Sequence, residues 1–145
     1  MKTLVIDASI AIKWVVQEAG TPEALALRKG ARLIAPDLLT AECANILWKK
    51  TQRGELAPDE ADLAAQLLER ADIELMPMRG LMAAATRLAI TLSHPAYDCF
   101  YLMLALVQHA QFLTADSRLL QKIALHSDRT LSAAVVSLAS LSSSG

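Results

Sequence analysis

Four of the fifteen acidic residues stand where charge is not expected. Asp7 ends an unbroken apolar run, Leu4-Val5-Ile6, in VIDAS. Glu42 lies beside apolar residues in TAECANIL. Asp98 opens the apolar stretch YDCFYLMLA, and Asp116 follows another apolar run in FLTAD. A carboxylate removed from water is costly unless it is paired. Two unit charges ~4 Å apart repel by about 4 kcal/mol at an effective dielectric near 20, so four converging acids must take up protons or share a cation. Oxygen donors without thiolate or imidazole select Mg²⁺ or Mn²⁺ over Zn²⁺. His94, His109 and His126 lack zinc-like spacing and read as core or surface residues. A hard cation beside helix N-termini, which attract phosphate oxygens, points to phosphoryl chemistry.

Each acid alone also fits a plainer role. Asp7 and Asp116 could be helix N-caps, Asp98 could complement a helix dipole from the first turn, and Glu42 could be a rim residue. Of the other acids, Glu23, Glu55, Asp59, Glu60, Asp62, Glu69 and Asp72 fall on polar helix faces or in first turns, and Asp37 reads as a helix cap. What separates the four is their joint placement, which depends on the elements around them.

Those elements alternate. Leu4–Ile6, Arg32–Ala35, Ile73–Met76, Phe112–Thr114 and a weaker Ala134–Leu138 read as strands. Between them, helices are expected over Ser9–Val16, from Thr21-Pro22 to Gly30, from Asp37 to about Arg53, from Pro58 onward, over Gly80–Leu92, over Tyr97–His109 and over Ser117–His126. Tyr97–His109 is apolar almost all round and belongs at the centre. Short apolar strands alternating with helices imply an α/β fold: a parallel sheet covered by helices on both faces, in three α/β/α layers. Function in such sheets gathers beyond the carboxyl ends of the strands. Asp7, Asp98 and Asp116 converge on that edge. The 145 residues form one domain over 1–140, followed by a flexible tail at 141–145.

The composition is 54% hydrophobic and the net charge is −1, so a nucleic-acid function must rest on local patches or a bound cation rather than overall basicity. Lys49, Lys50 and Arg53 follow Glu42 on its helix, Lys13 follows strand 1 and Arg118 follows Asp116; these also read as solvated helix ends. Trp14 and Trp48 could stack on bases, but their apolar neighbours favour a core or dimer-interface role. Cys43 and Cys99 read as buried free thiols. No apolar stretch approaches the ~20 residues of a membrane span and none resembles a signal peptide, so a cytoplasmic location without membrane contact is expected.

VIDAS, AECANIL, YDCFYLMLA and LTAD, in that order, resemble the PIN-domain ribonucleases, and most closely the VapC-type toxins of toxin–antitoxin pairs. The resemblance spans nearly the whole chain. It implies a sheet of about five parallel strands flanked by helices, an Mg²⁺ or Mn²⁺ site, and RNA cleavage leaving 5′-phosphate and 3′-hydroxyl ends. Carried over, the catalytic and metal-site acids are Asp7, Glu42, Asp98 and Asp116, supported by Ser9, Asn45 and Thr114. An antitoxin partner and a homodimer are implied as well. Some relatives carry a further acid after the fourth; here Ser117-Arg118-Leu119 follow, which departs from a two-metal arrangement. Two other readings stand beside this one: a catalytically quiet PIN-like binding module, and a phosphotransfer receiver. The receiver reading wants adjacent acids after strand 1, where Ile6 and Ala8 flank Asp7.

Overall fold

Leu4, Val5 and Ile6 are nearly devoid of solvent contact, as an apolar run without alternation requires of a strand covered on both faces. The computed structural model describes residues 1–126 and 128–142. Strands β1 (Lys2–Ile6), β2 (Ala31–Pro36), β3 (Glu74–Met76), β4 (Gln111–Thr114) and β5 (Val135–Ser137) form one parallel sheet in the order β3-β2-β1-β4-β5. The helices are α1 (Ala8–Ala11), α2 (Thr21–Ala26), α3 (Leu38–Gln52), α4 (Pro58–Glu69), α5 (Met82–Leu92), α6 (Ala96–Val107), α7 (Ser117–Leu125), α8 (Arg129–Ala134) and α9 (Ala139–Ser142).

The chain steps outward from β1 to β2 to β3, then crosses back to β4 and β5 on the other side of β1. Right-handed crossovers place the helices of the two excursions on opposite faces of the sheet. The packing agrees: α1 and α4 lie against α3, while α5 and α8 lie against α6. Helix α6 packs on β1, β2 and β4 at once and buries Cys99, Tyr101, Leu102, Leu104 and Ala105, which is why its sequence is apolar all round.

Several expected helices are shorter or followed by tighter turns. The Ser9–Val16 segment is α1 followed by a 3₁₀ turn at Ile12–Trp14, and the Thr21–Gly30 segment is α2 followed by a 3₁₀ turn at Leu27–Lys29. Helix α8 is too short to show a periodic pattern, and Asp128 starts it by accepting the Thr130 N–H. Of the expected tail, Leu141 and Ser142 close α9 and Leu141 packs against the core; residues 143–145 lie outside the described residues. Asp37 occupies the N-cap position of α3 but caps no N–H with its side chain, because its backbone is already helical there. Among the described residues, no single helix is long and apolar enough to cross a membrane.

Candidate active site

Strands β1 and β4 are neighbours whose connections leave in opposite directions, so the crevice beyond their carboxyl ends is the switch point of the sheet. The register fixes what meets there. Ile6 lies opposite Leu113, so one step further along both strands Asp7 comes beside Thr114 on the same face. The Thr114 hydroxyl donates to Asp7 Oδ2 at 2.5 Å. The Ser9 hydroxyl donates to the other oxygen, Oδ1, at 2.5 Å. Each hydroxyl is in turn fixed: Ser9 Oγ accepts the Ala115 N–H and Thr114 Oγ1 accepts the Asp116 N–H. Asp7 stands at the N-cap position of α1 yet caps nothing with its side chain, so the capping role that its position suggests is not the one it fills.

Asp116 does cap. Its Oδ1 accepts the Arg118 and Leu119 N–H groups at the start of α7. Asp98 is in the first turn of α6, which enters β4 from the opposite direction and therefore begins at the carboxyl edge of the sheet. Its Oδ2 lies 2.5 Å from His94 Nε2, and ligand atoms of His94, Asp98 and Asp116 all fall within 4.8 Å of one another. Glu42, in the second turn of α3, accepts the Tyr101 hydroxyl on Oε1 at 2.5 Å.

The electrostatics show a site short of positive charge. Burial pushes the Asp7 carboxyl up to about 7, against the Ser9 and Thr114 hydrogen bonds and with help from the charges of Asp98 and Glu42. Burial also raises Asp98, opposed by His94 and reinforced by Asp116. Glu42 is raised by burial, opposed by Tyr101 and reinforced by Asp98. Carboxyls that hold their protons while facing one another are poised to exchange them for a divalent cation, which their oxygens suit, with the His94 imidazole standing among the possible ligands. Asp98 and Asp116 would hold such an ion most directly, with Asp7 and Glu42 beside them.

The family profile described as "PIN domain" matches residues 4–125. The chain belongs to the PIN-domain family. This PIN domain is 33% identical over 122 residues to Ribonuclease VapC3 of Pyrobaculum aerophilum, covering 82% of this chain and 93% of that protein. Its fold superposes on the crystal structure of PAE2754, also from Pyrobaculum aerophilum, with a TM-score of 0.68 and 18% identity, covering 98% of this chain and 90% of that one. The expected α/β fold with five parallel strands is thereby borne out.

The other residues singled out in the PIN-domain sequence take varied places. Asn45 is exposed one turn beyond Glu42, with no side-chain hydrogen bond among the described residues. Lys13 and Lys50 do not form an open basic track: both clasp Glu18, at 3.0 and 3.1 Å, and Lys50 also pairs with Glu55. Trp14 packs on the core and donates its indole N–H to Ala24 O, whereas Trp48 is 57% exposed and not a core residue. Cys43 and Cys99 are buried free thiols, and burial raises them to about 12 and 11, which leaves them unreactive.

Two residues of the cluster were not legible as site residues. His94, read as core or surface, is buried against Asp98. It lies four positions before Asp98, a helix-turn spacing, but Pro95 between them masks the pairing. Tyr101 meets Glu42 across 59 positions of sequence, a contact that no local pattern encodes.

Proposed function

We propose that this PIN domain is a metal-dependent endoribonuclease and the toxin of a toxin–antitoxin pair, acting in the cytoplasm. The observation that carries this reading is the convergence of Asp7, Glu42, Asp98 and Asp116 on one edge of the sheet, with three of them holding protons above the ordinary carboxyl range. The ribonuclease name of the VapC3 relative gives the substrate class.

In this mechanism Asp7, Asp98 and Asp116 would hold the divalent ion, with Glu42 at its edge. Bound Mg²⁺ or Mn²⁺ supplies Lewis acidity at the scissile phosphodiester and acidifies water beside it. Glu42, with Oε1 held by Tyr101, offers Oε2 to take the proton of the attacking water. Ser9 and Thr114 keep the Asp7 oxygens in fixed orientation, and the N-termini of α3, α6 and α7 favour the phosphate charge. Purified protein with Mn²⁺ is expected to cut single-stranded RNA to 5′-phosphate and 3′-hydroxyl ends. EDTA should stop this, and Asp98→Asn should slow it about 10³-fold, the equivalent of several kcal/mol of lost charge stabilisation. Equal cutting with EDTA or by Asp98→Asn would overturn the reading.

RNA contact falls to the cations that the fold leaves unpaired. Lys49 and Arg53 lie on the Glu42 stripe of α3 or just past its end, exposed and without an ion pair among the described residues. Removing both, Lys49→Ala with Arg53→Ala, is expected to weaken RNA binding and to lower the salt slope by about 1.4, or 0.7 per lost contact. Lys13→Ala, which removes one of the two cations held on Glu18 and leaves Lys50 on the other oxygen, should lower the melting temperature and leave the slope unchanged. An unchanged slope in the Lys49/Arg53 variant would remove these residues from the RNA path.

The protein partners follow from apolar surface. A cavity of about 430 Å³ between α3 and α4, lined by Leu39, Cys43, Leu47, Ala65, Leu68 and Ile73, supports docking of a short antitoxin segment. Met82 and Ile90 on α5 and Tyr97 on α6 are exposed and support pairing of two copies into a homodimer.

A further inference from the structure

Tyr101 is wholly buried, yet it carries a hydroxyl where phenylalanine would pack as well. A buried hydroxyl is retained at a cost unless it has a partner. Here the partner is the Glu42 carboxylate, 2.5 Å away and supplied by a different helix. The ring cannot swing. It stacks on Phe112 of β4 with centroids 5.7 Å apart and planes 15° off parallel. Phe112 is two residues before Thr114 and so shares its face of the strand. Thr114 already holds Asp7. One face of β4 thus orients two acids of the site: Asp7 directly, and Glu42 through the Phe112–Tyr101 stack. Glu42 would otherwise be a half-buried side chain with several torsions to choose from.

We propose that Tyr101 is a positioning residue, whose hydroxyl holds Glu42 Oε1 so that Oε2 is presented to the shared cation and the attacking water. What Glu42 does once positioned rests on the ribonuclease reading; the positioning itself does not, and the test separates the two.

The test begins with the parent, Tyr101→Phe, Glu42→Ala and the double variant. Three quantities are read: the melting temperature, Mn²⁺ affinity by calorimetry, and kcat and KM for a single-stranded RNA. Tyr101→Phe keeps the ring stack, so its melting temperature should stay near the parent's. Its kcat should fall about tenfold or more, as loss of a charge-assisted hydrogen bond implies, with KM changed less than about twofold. Its Mn²⁺ affinity should fall about tenfold, the size of effect seen when a ligand's supporting hydrogen bond is removed. In the Glu42→Ala background the same change should alter Mn²⁺ affinity no further. A second variant, Phe112→Leu, keeps the hydroxyl but frees the ring, and its losses should likewise vanish without Glu42. Parent-like Mn²⁺ affinity and kcat in Tyr101→Phe, or an equal loss with and without Glu42, would overturn the proposal. A parent that binds Mn²⁺ but cuts no RNA would instead sink the ribonuclease reading, and the Mn²⁺ titrations would still decide Tyr101.

Discussion

Asp7→Asn is expected to stabilise the metal-free protein at pH 8 while ending RNA cleavage. The folded Asp7 carboxyl titrates near 7 against 3.8 for the ordinary group, mainly because it is buried. Between those values the unfolded chain has released a proton that the folded chain still holds. Stability is therefore lost as pH rises from about 4 to about 7, and the full cost stands above that. The folded carboxyl binds its proton roughly a thousandfold more tightly than the unfolded one, which sets a ceiling of about 4 kcal/mol at ~1.4 kcal/mol per factor of ten. Asparagine has the same shape and carries no charge. Its oxygen can accept the Ser9 hydroxyl, and its N–H can donate to Thr114 Oγ1 once that hydroxyl turns. At about 2–4 °C per kcal/mol, the gain in melting temperature at pH 8 should be several degrees, shrinking toward nothing near pH 4. Thermal melts of both proteins in EDTA across this range check it. Equal melting at pH 8 would mean that Asp7 is not held against its charge. Stabilisation and inactivation by the same substitution is the signature of a residue kept for chemistry at the expense of the fold.

The same conflict made Asp7 legible in the sequence. An apolar run that stops on a carboxylate breaks the consistency expected of a core strand, and such breaks mark functional sites. The alternation of strands and helices then fixed the edge on which Asp7, Asp98 and Asp116 meet, because strand ends and helix starts share that edge in any parallel sheet. Glu42 was harder, since a helix-rim acid is ordinary until its partner is known. The supporting residues divide by range. Ser9 lies two positions from Asp7 and could be anticipated; Thr114, two before Asp116, reads from the sequence as orienting that acid, and its bond to Asp7 follows only from the register of β1 with β4. Tyr101 could not, because its contact with Glu42 depends on how α6 packs against β2, the strand that leads into α3. His94 and the clasp of Glu18 by Lys13 and Lys50 were missed for a related reason: residue type alone does not say whether a cation is spent inside the protein or offered to a ligand.

Saturating Mn²⁺ should raise the melting temperature of the parent strongly at pH 8 and weakly at pH 5. A ligand that binds only the folded state at a hundred times its Kd adds about 2.7 kcal/mol, several degrees for a chain of this size. The pH dependence has a definite sign. Asp7, Glu42 and Asp98 all hold protons above the usual carboxyl range, and a cation must displace those protons to bind. Acid therefore competes with the ion, and affinity climbs until Asp7 is deprotonated, near pH 7. Above that point proton competition ends and affinity levels off, while the bound cation offsets the cost of burying the Asp7 charge that destabilises the metal-free protein. Asp98→Asn and Asp116→Asn each remove a carboxylate from the His94–Asp98–Asp116 cluster and should lose most of the Mn²⁺-induced shift. Conversion to asparagine leaves both side chains able to accept hydrogen bonds, Asp116 at the cap of α7 included, so a lost shift would reflect lost charge rather than lost structure. A shift of equal size at pH 5 and pH 8, or one retained by both variants, would place the ion away from these acids.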